Sequence, residues 1–188
     1  MQTNITWKSD EYNSVENCTV QKNDEGAIIT SSIQGSHSNK VFEVDYRIEV
    51  NRHWQTVFFE INCLYNGNEK NISCRSDGQG NWYSAGQELP EFAGCMDIDL
   101  PLTPFTNSLP INRLQLSQHA EAIIEVIYLD LLEEKTTRVQ QRYIRLKAGE
   151  YKYENIPNDF EAIIIVDNCG FVREYPALFK CTRIENAG

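Results

Sequence analysis

The sequence predicts an all-β fold with mainly antiparallel pairing. Apolar and polar residues alternate with period two along much of the chain. The alternating runs are short, and turns rich in Asn, Asp and Gly separate them. A helical period is hard to find. Strands of this kind build a sandwich, a barrel or a roll.

Val41–Val50 is the clearest strand. Phe42, Val44, Tyr46, Ile48 and Val50 share one face, and Glu43, Asp45, Arg47 and Glu49 share the other. Asn51-Arg52-His53 is a short connection, so Trp54–Leu64 pairs back as a hairpin. Val57, Phe59, Ile61 and Cys63 lie on one face of that run, with Trp54, Phe58 and Leu64 on the other. Tyr65-Asn66-Gly67-Asn68 turns the chain into a short strand, Lys70–Arg75. Asp77–Asn81 is a further turn, leading into Trp82 and Tyr83. The best place for a short helix is Ser84–Phe92. Beyond it, Ala122–Leu131 is apolar on both faces and Thr136–Leu146 alternates again. Lys147–Glu150 is a turn, and Tyr151 and Tyr153 open a short strand. Phe160–Val166 has the Ile163-Ile164-Ile165 run of a sheet core. Asp167–Gly170 closes a hairpin onto Phe171–Tyr175, and Leu178–Ile184 is the last strand.

The 188 residues are expected to form a single domain. A chain this long buries about 70% of its unfolded surface. Hydrophobic residues are 41% and aromatics 11%, enough for a core and a lined cavity. The 17 basic residues are scattered and 27 acidic residues give a net charge of −10, which argues against nucleic acid and anionic membrane surfaces. No run reaches the ~18 consecutive apolar residues of a membrane span. Met1–Asp10 lacks the features of an export signal, so a cytoplasmic location is expected and the Asn4, Asn17 and Asn71 sequons are read as chance. The six cysteines are expected to be free, buried thiols. His37, His53 and His119 fall near turns, and neither a metal nor a cofactor is expected.

Cys95–Leu114 breaks the alternation. Pro101, Pro104 and Pro110 are half of the chain's prolines, and proline lacks a ladder N–H. Pro101–Pro110 is therefore expected to be extended and irregular. Thr103, Thr106, Asn107 and Ser108 sit among Leu102, Phe105 and Leu109, a mixture that suits an amphiphilic ligand. A rigid loop covering a sheet edge is the other reading. Asp97 and Asp99 share one side of a strand, about 6.5–7 Å apart at Cα. That spacing suits the paired carboxylates of an inverting glycosidase, which lie about 6.5–9.5 Å apart. Their alternative role is structural, paired with Arg113 or Arg142. Tyr46, Trp54 and Trp82 are candidates for stacking on a sugar, with core packing as the alternative. Arg142, beside Tyr143, is suited to a carboxylate or phosphate, or to bonding Asp97 or Asp99.

Gly94-Cys95, Asp97-Ile98-Asp99-Leu100, Thr103-Pro104-Phe105-Thr106-Asn107, Leu109-Pro110-Ile111 and Arg113-Leu114 together resemble the signature of the bacterial putative glycolipid-binding family. Tyr46-Arg47, Trp54, Asp77-Gly78, Gly80, Trp82, Gln141-Arg142-Tyr143, Asp167 and Tyr175-Pro176 agree in order, and the likeness runs from about Trp7 to Phe179. Ser108, Asn112 and Ile144 depart from it. The resemblance implies a spiral β-roll, an incompletely closed barrel with a concave face and at most one or two short helices. It also implies likeness to bacterial carriers of lipid or lipoprotein acyl chains. The expected function is non-catalytic binding of an amphiphile, glycolipid-like, in the concave face. Tyr46, Trp54, Trp82, Asp97, Asp99, Thr103, Phe105, Thr106, Asn107, Arg113, Arg142 and Tyr143 are the candidate contacts. The competing expectation is a hydrolase or isomerase acting on a sugar or glycolipid through Asp97 and Asp99.

Overall fold

A computed structural model describes residues 1–187. Eight strands come first: β1 (Gln2–Ser9), β2 (Ser14–Asn23), β3 (Gly26–His37), β4 (Lys40–Asn51), β5 (Thr56–Tyr65), β6 (Asn68–Ser76), β7 (Trp82–Ser84) and β8 (Gln87–Glu88). A 3-10 turn at Pro90–Phe92, β9 (Asp97–Asp99) and helix α1 (Phe105–Leu114) follow. The chain then adds β10 (Glu121–Asp130), β11 (Lys135–Lys147), β12 (Glu150–Ile156), β13 (Glu161–Val166), β14 (Val172–Tyr175) and β15 (Phe179–Ala187).

All 15 strands belong to one sheet. One arm is a meander from β1 to β8 in chain order, and the other runs β15 back to β10, with β9 outermost. The arms join where β1 pairs antiparallel with β15, with Ile5 opposite Ile184. Every neighbouring pair is antiparallel except β9 with β10. The result is an unclosed, mostly antiparallel roll whose two outer strands are β8 and β9.

Only eight residues separate those outer strands in the chain, so the sheet must curl back toward itself. The link is fastened to the first arm. Gly94 N–H donates to the Gly80 carbonyl at 2.9 Å, and Trp82 Nε1 donates to the Cys95 carbonyl at 2.7 Å. Gly80 has φ +88°, and a Cβ there would sit 3.0 Å from Gly94 Cα. Glycine is needed at position 80 for both reasons.

The core has two parts. Trp7, Ile29, Ile33, Phe42, Ile48 and Phe59 pack with Leu100, Leu102, Phe105 and Leu109. Tyr143, Tyr153, Ile164, Val172 and Tyr175 pack with Ile111. Helix α1 thus contributes to both, and its residues from Phe105 to Ile111 are all buried. Strand β10 also serves both, through Ile127 and Leu129 on one side and Val126 on the other. Ile123 at its end is exposed, which limits the expectation that both faces are covered.

The structure corrects three expectations. Pro101–Pro110 is not all extended, because α1 begins at Phe105. Thr103 Oγ1 accepts the Phe105 N–H at 3.0 Å and so satisfies an orphan donor at the helix start. Pro110 lies inside the helix, where one intrahelical bond is missing. The Ser84–Phe92 helix is replaced by β7, β8 and the 3-10 turn. Ala85 and Gly86 both take positive φ, the geometry of a tight hairpin. Cys18, Cys63, Cys74 and Cys95 are buried, but Cys169 is exposed and Cys181 is half-buried.

Phe105 is fully buried and packs on Trp7 and Phe171, with ring centroids 6.4 and 6.1 Å away. Phe105→Ala leaves a cavity between helix and sheet. Urea unfolding should show a loss of about 3–5 kcal/mol; a change below 1 kcal/mol would contradict the packing described.

Candidate functional site

A cavity of about 510 Å³ opens beside β9. That volume lies within the roughly 300–1,000 Å³ of small-molecule sites. Asp99, Thr103, Asn107 and Gln141 form its inner, polar part. Tyr12, Tyr128, Tyr153, Tyr175 and Phe179 supply aromatic walls, half-buried Ile156 and Leu178 extend them, and exposed Phe160, Glu11, Gln140 and Asp159 lie at the mouth. The rings form a chain: Tyr143 to Tyr153 at 5.4 Å, Tyr153 to Tyr175 at 6.2 Å, Tyr175 to Phe179 at 6.3 Å, and Phe179 to Tyr12 at 6.0 Å. A cleft of about 230 Å³ adjoins, sharing Glu11, Tyr12 and Pro101 and adding His37, Asp130 and Glu133.

Asp99 has no cationic partner among the described residues. Its Oδ2 accepts from Gln141 Nε2 at 2.6 Å and its Oδ1 accepts from Thr106 Oγ1 at 3.1 Å. Burial pushes its carboxyl up, and the two neutral donors only partly offset this. Burial also raises the phenols around it, Tyr12 to about 12. The Asp99 charge adds to the rise for Tyr128, Tyr153 and Tyr175. All four phenols therefore keep their protons at neutral pH and can donate hydrogen bonds.

Asp97 is different, although it lies only two residues away on β9. It is fully buried and accepts three hydrogen bonds from Arg113, the shortest 2.6 Å from Nη2. Burial still leaves its carboxyl above the ordinary value. Asp97 does not line the cavity. The two aspartates therefore do not present a carboxylate pair to one accessible cleft, as the hydrolase reading requires. Arg113 serves Asp97, as expected for its structural role. Arg142 does not; it reaches Glu154 at 3.3 Å instead.

The other candidates divide by position. Thr103 and Asn107 line the cavity with Asp99. Thr106 holds Asp99, and Tyr143 holds Asn107 through its hydroxyl, which donates to Asn107 Oδ1 at 2.8 Å. Phe105 and Trp82 are core residues. Trp54 is buried against Phe171 and edges a separate cleft of about 220 Å³, with Lys22 Nζ 5.7 Å from its ring centroid. Tyr46 lies beneath the cavity, where its hydroxyl donates to Glu16 Oε1 at 2.7 Å.

Glu16 was not singled out in the sequence. It is buried on β2, and its Oε1 also accepts from Ser31 at 2.8 Å and Thr103 at 2.9 Å. Its Oε2 has no hydrogen-bond partner among the described residues. The aromatic walls were also missed, since Tyr12, Tyr128, Tyr153 and Tyr175 come from separate parts of the chain. The Ser14, Glu16, Cys18, Val20 alternation was the available signal for Glu16.

Residues 4–181 match the model of a family described as "Putative glycolipid-binding". A crystal structure of a DUF1089 family protein from Pseudomonas aeruginosa is similar, with a TM-score of 0.82 and 31% identity over 89% of this chain and 91% of that one. A beta-barrel-like protein of domain of unknown function DUF1849, from Brucella abortus, shares the fold at a TM-score of 0.53 and 8% identity. That match covers 98% of this chain and 96% of the other. No curated relative matches. No helix among the described residues is long and apolar enough to cross a membrane.

Burial lifts the Glu16 carboxyl from 4.5 to about 7, against the opposing hydrogen bonds from Tyr46, Thr103 and Ser31. Between those pH values the folded chain holds a proton that the unfolded chain has released. Stability from this group is full below pH 4.5 and is lost as pH rises through 7. Comparing Glu16→Gln with the parent in urea at pH 5 and pH 8 isolates the effect. The stability difference should move by roughly 2–3 kcal/mol in favour of the variant at pH 8. An unchanged difference would show that Glu16 stays ionised throughout.

Proposed function

Because the chain belongs to the glycolipid-binding family that its residues 4–181 match, we propose that it is a non-catalytic carrier or sensor holding an amphiphile in the cavity beside Asp99. The observation that carries this reading is the ordering of the cavity wall. Buried Thr103, Asn107 and Gln141 and half-buried Asp99 make a polar end, the aromatic rings and apolar Ile156, Phe160 and Leu178 make a long apolar wall, and exposed Glu11 and Asp159 stand at the mouth. A head group enters first and finds acceptors and donors that are already held in place. The attached apolar chain then runs out along the aromatic wall.

Pre-organisation supports the same reading. Asp99 is held by Gln141 and Thr106, Asn107 by Tyr143, and Thr103 by Glu16. Little side-chain entropy remains to be lost when a ligand arrives. The roll also keeps Asp97 out of the site, since its carboxylate is used by Arg113.

Native mass spectrometry of protein purified from cells should reveal a co-purifying amphiphile. Leu178→Trp narrows the solvent side of the cavity and should largely abolish that occupancy. Its thermal unfolding should stay within about 4 °C of the parent. Equal occupancy in parent and variant would place the ligand elsewhere, and an empty parent that also fails to take up alkyl glycosides would overturn the reading.

A further inference from the structure

The two adjoining cavities are lined by five carboxylates: Glu11, Asp99 and Asp159 in the larger, with Asp130 and Glu133 added by the smaller. No lysine or arginine lines either one among the described residues. His37 is the one basic side chain on their walls, and it stacks against Tyr12 at 5.7 Å. An anionic head group would meet repulsion from every side. Phosphate recognition uses Arg, Lys or a helix N-terminus; this lining offers no Arg or Lys, and the first turn of α1, which brings Asn107 to the cavity, is faced by the Asp99 carboxylate that Thr106 holds.

Strand β9 contains its own control. Asp97 and Asp99 are both withdrawn from bulk water and lie two residues apart. The chain gives Asp97 a guanidinium, from Arg113. It gives Asp99 only an amide and a hydroxyl, and opens it to the cavity. A carboxylate has about four acceptor positions; Gln141 and Thr106 occupy two. The remaining capacity faces a space walled by Tyr12, Tyr128, Tyr153 and Tyr175. Aromatic faces around a carboxylate are the surroundings in which an organic ammonium is held, by charge on one side and ring quadrupoles on the others.

We propose that the amphiphile's head group carries an ammonium, which completes Asp99 as Arg113 completes Asp97. This inference rests on the binding reading above and narrows it to a ligand class. An amino sugar and an amino alcohol both supply that chemistry. A neutral polyol would satisfy the hydrogen-bonding groups but would leave the Asp99 charge without a counter-ion.

Four probes with one decyl chain separate these cases when titrated into the delipidated full-length chain below micelle formation: decyltrimethylammonium, a decyl glucosaminide with a free amine, decyl glucoside and decyl phosphate. Calorimetry gives affinity, and amide shifts at Asn107 and Gln141 locate binding. At least one ammonium probe should bind about tenfold tighter than the glucoside, as a desolvated cation–π contact of about 1.4 kcal/mol implies, and the phosphate should bind weakest. Comparing the two ammonium probes tells amino sugar from amino alcohol. Asp99→Asn should bring the ammonium-to-glucoside affinity ratio close to one. Should that variant fail to fold, Glu11→Gln combined with Asp159→Asn, both at exposed positions, should lower the ratio instead. Glucoside binding as tightly as either ammonium probe would overturn the charge assignment and leave the amphiphile reading standing. An ammonium preference that survives these substitutions would also overturn it, as general attraction to an acidic protein. Absence of shifts at Asn107 and Gln141 with every probe would overturn the cavity reading itself.

Discussion

The arrangement depends on a polar segment buried inside a β-roll. Between Asp97 and Leu114 the chain leaves the sheet, enters the space it encloses and returns. A buried hydroxyl, amide or carboxylate without a partner costs about 1–3 kcal/mol or more. The buried polar side chains of this segment are therefore tied to several elements. Thr103 donates to Glu16 on β2, Asn107 accepts from Tyr143 on β11, and Ser108 Oγ accepts from the Val172 N–H on β14. Thr106 binds Asp99, and Arg113 binds Asp97. The two arms of the sheet are held in register with each other through these bonds as well as through the β1–β15 pairing.

The cavity follows from the same constraint. The helix fills the space between the two core clusters but leaves the region beside Asp99 open. Because neighbouring strands already fix the side chains around that space, the cavity does not collapse onto them. The aspartates of β9 then acquire opposite fates from one strand. One is sealed with a cation of the chain, and the other is held only by neutral donors at the edge of empty space.

Much of the sheet was legible from alternation. Strands β4, β5, β10 and β11, and the Asp167–Gly170 turn, stand in the structure close to where period two and turn chemistry put them. The first three strands were not read, and β2 shows why. Its inward positions are Ser14, Glu16, Cys18 and Val20, so polar residues occupy the buried phase. Helix α1 was hidden for the converse reason. It is enclosed on all sides, so it has no polar face to produce a 3.6-residue period, and its prolines point away from helix. Asp99, Thr103 and Asn107 were reachable because the segment breaks the pattern around it. Trp54 and Trp82 followed the commoner fate of large aromatics and went into the core. The tyrosine wall was out of reach, since its members converge only when both arms have curled.

The β1–β15 seam has a consequence for how the molecule forms. Gln2 lies opposite Ala187, so strands near the middle of the finished sheet are farthest apart in the chain. Contacts of such separation close large loops late and slow the search for the native state. The β1–β8 meander can zip locally as it leaves the ribosome, but β1 keeps one edge unpaired until β15 has been made. During that interval the nascent chain exposes a strand edge able to pair with other chains. Closure of the seam therefore waits for β15, and the vulnerable species is an open meander that lacks that strand.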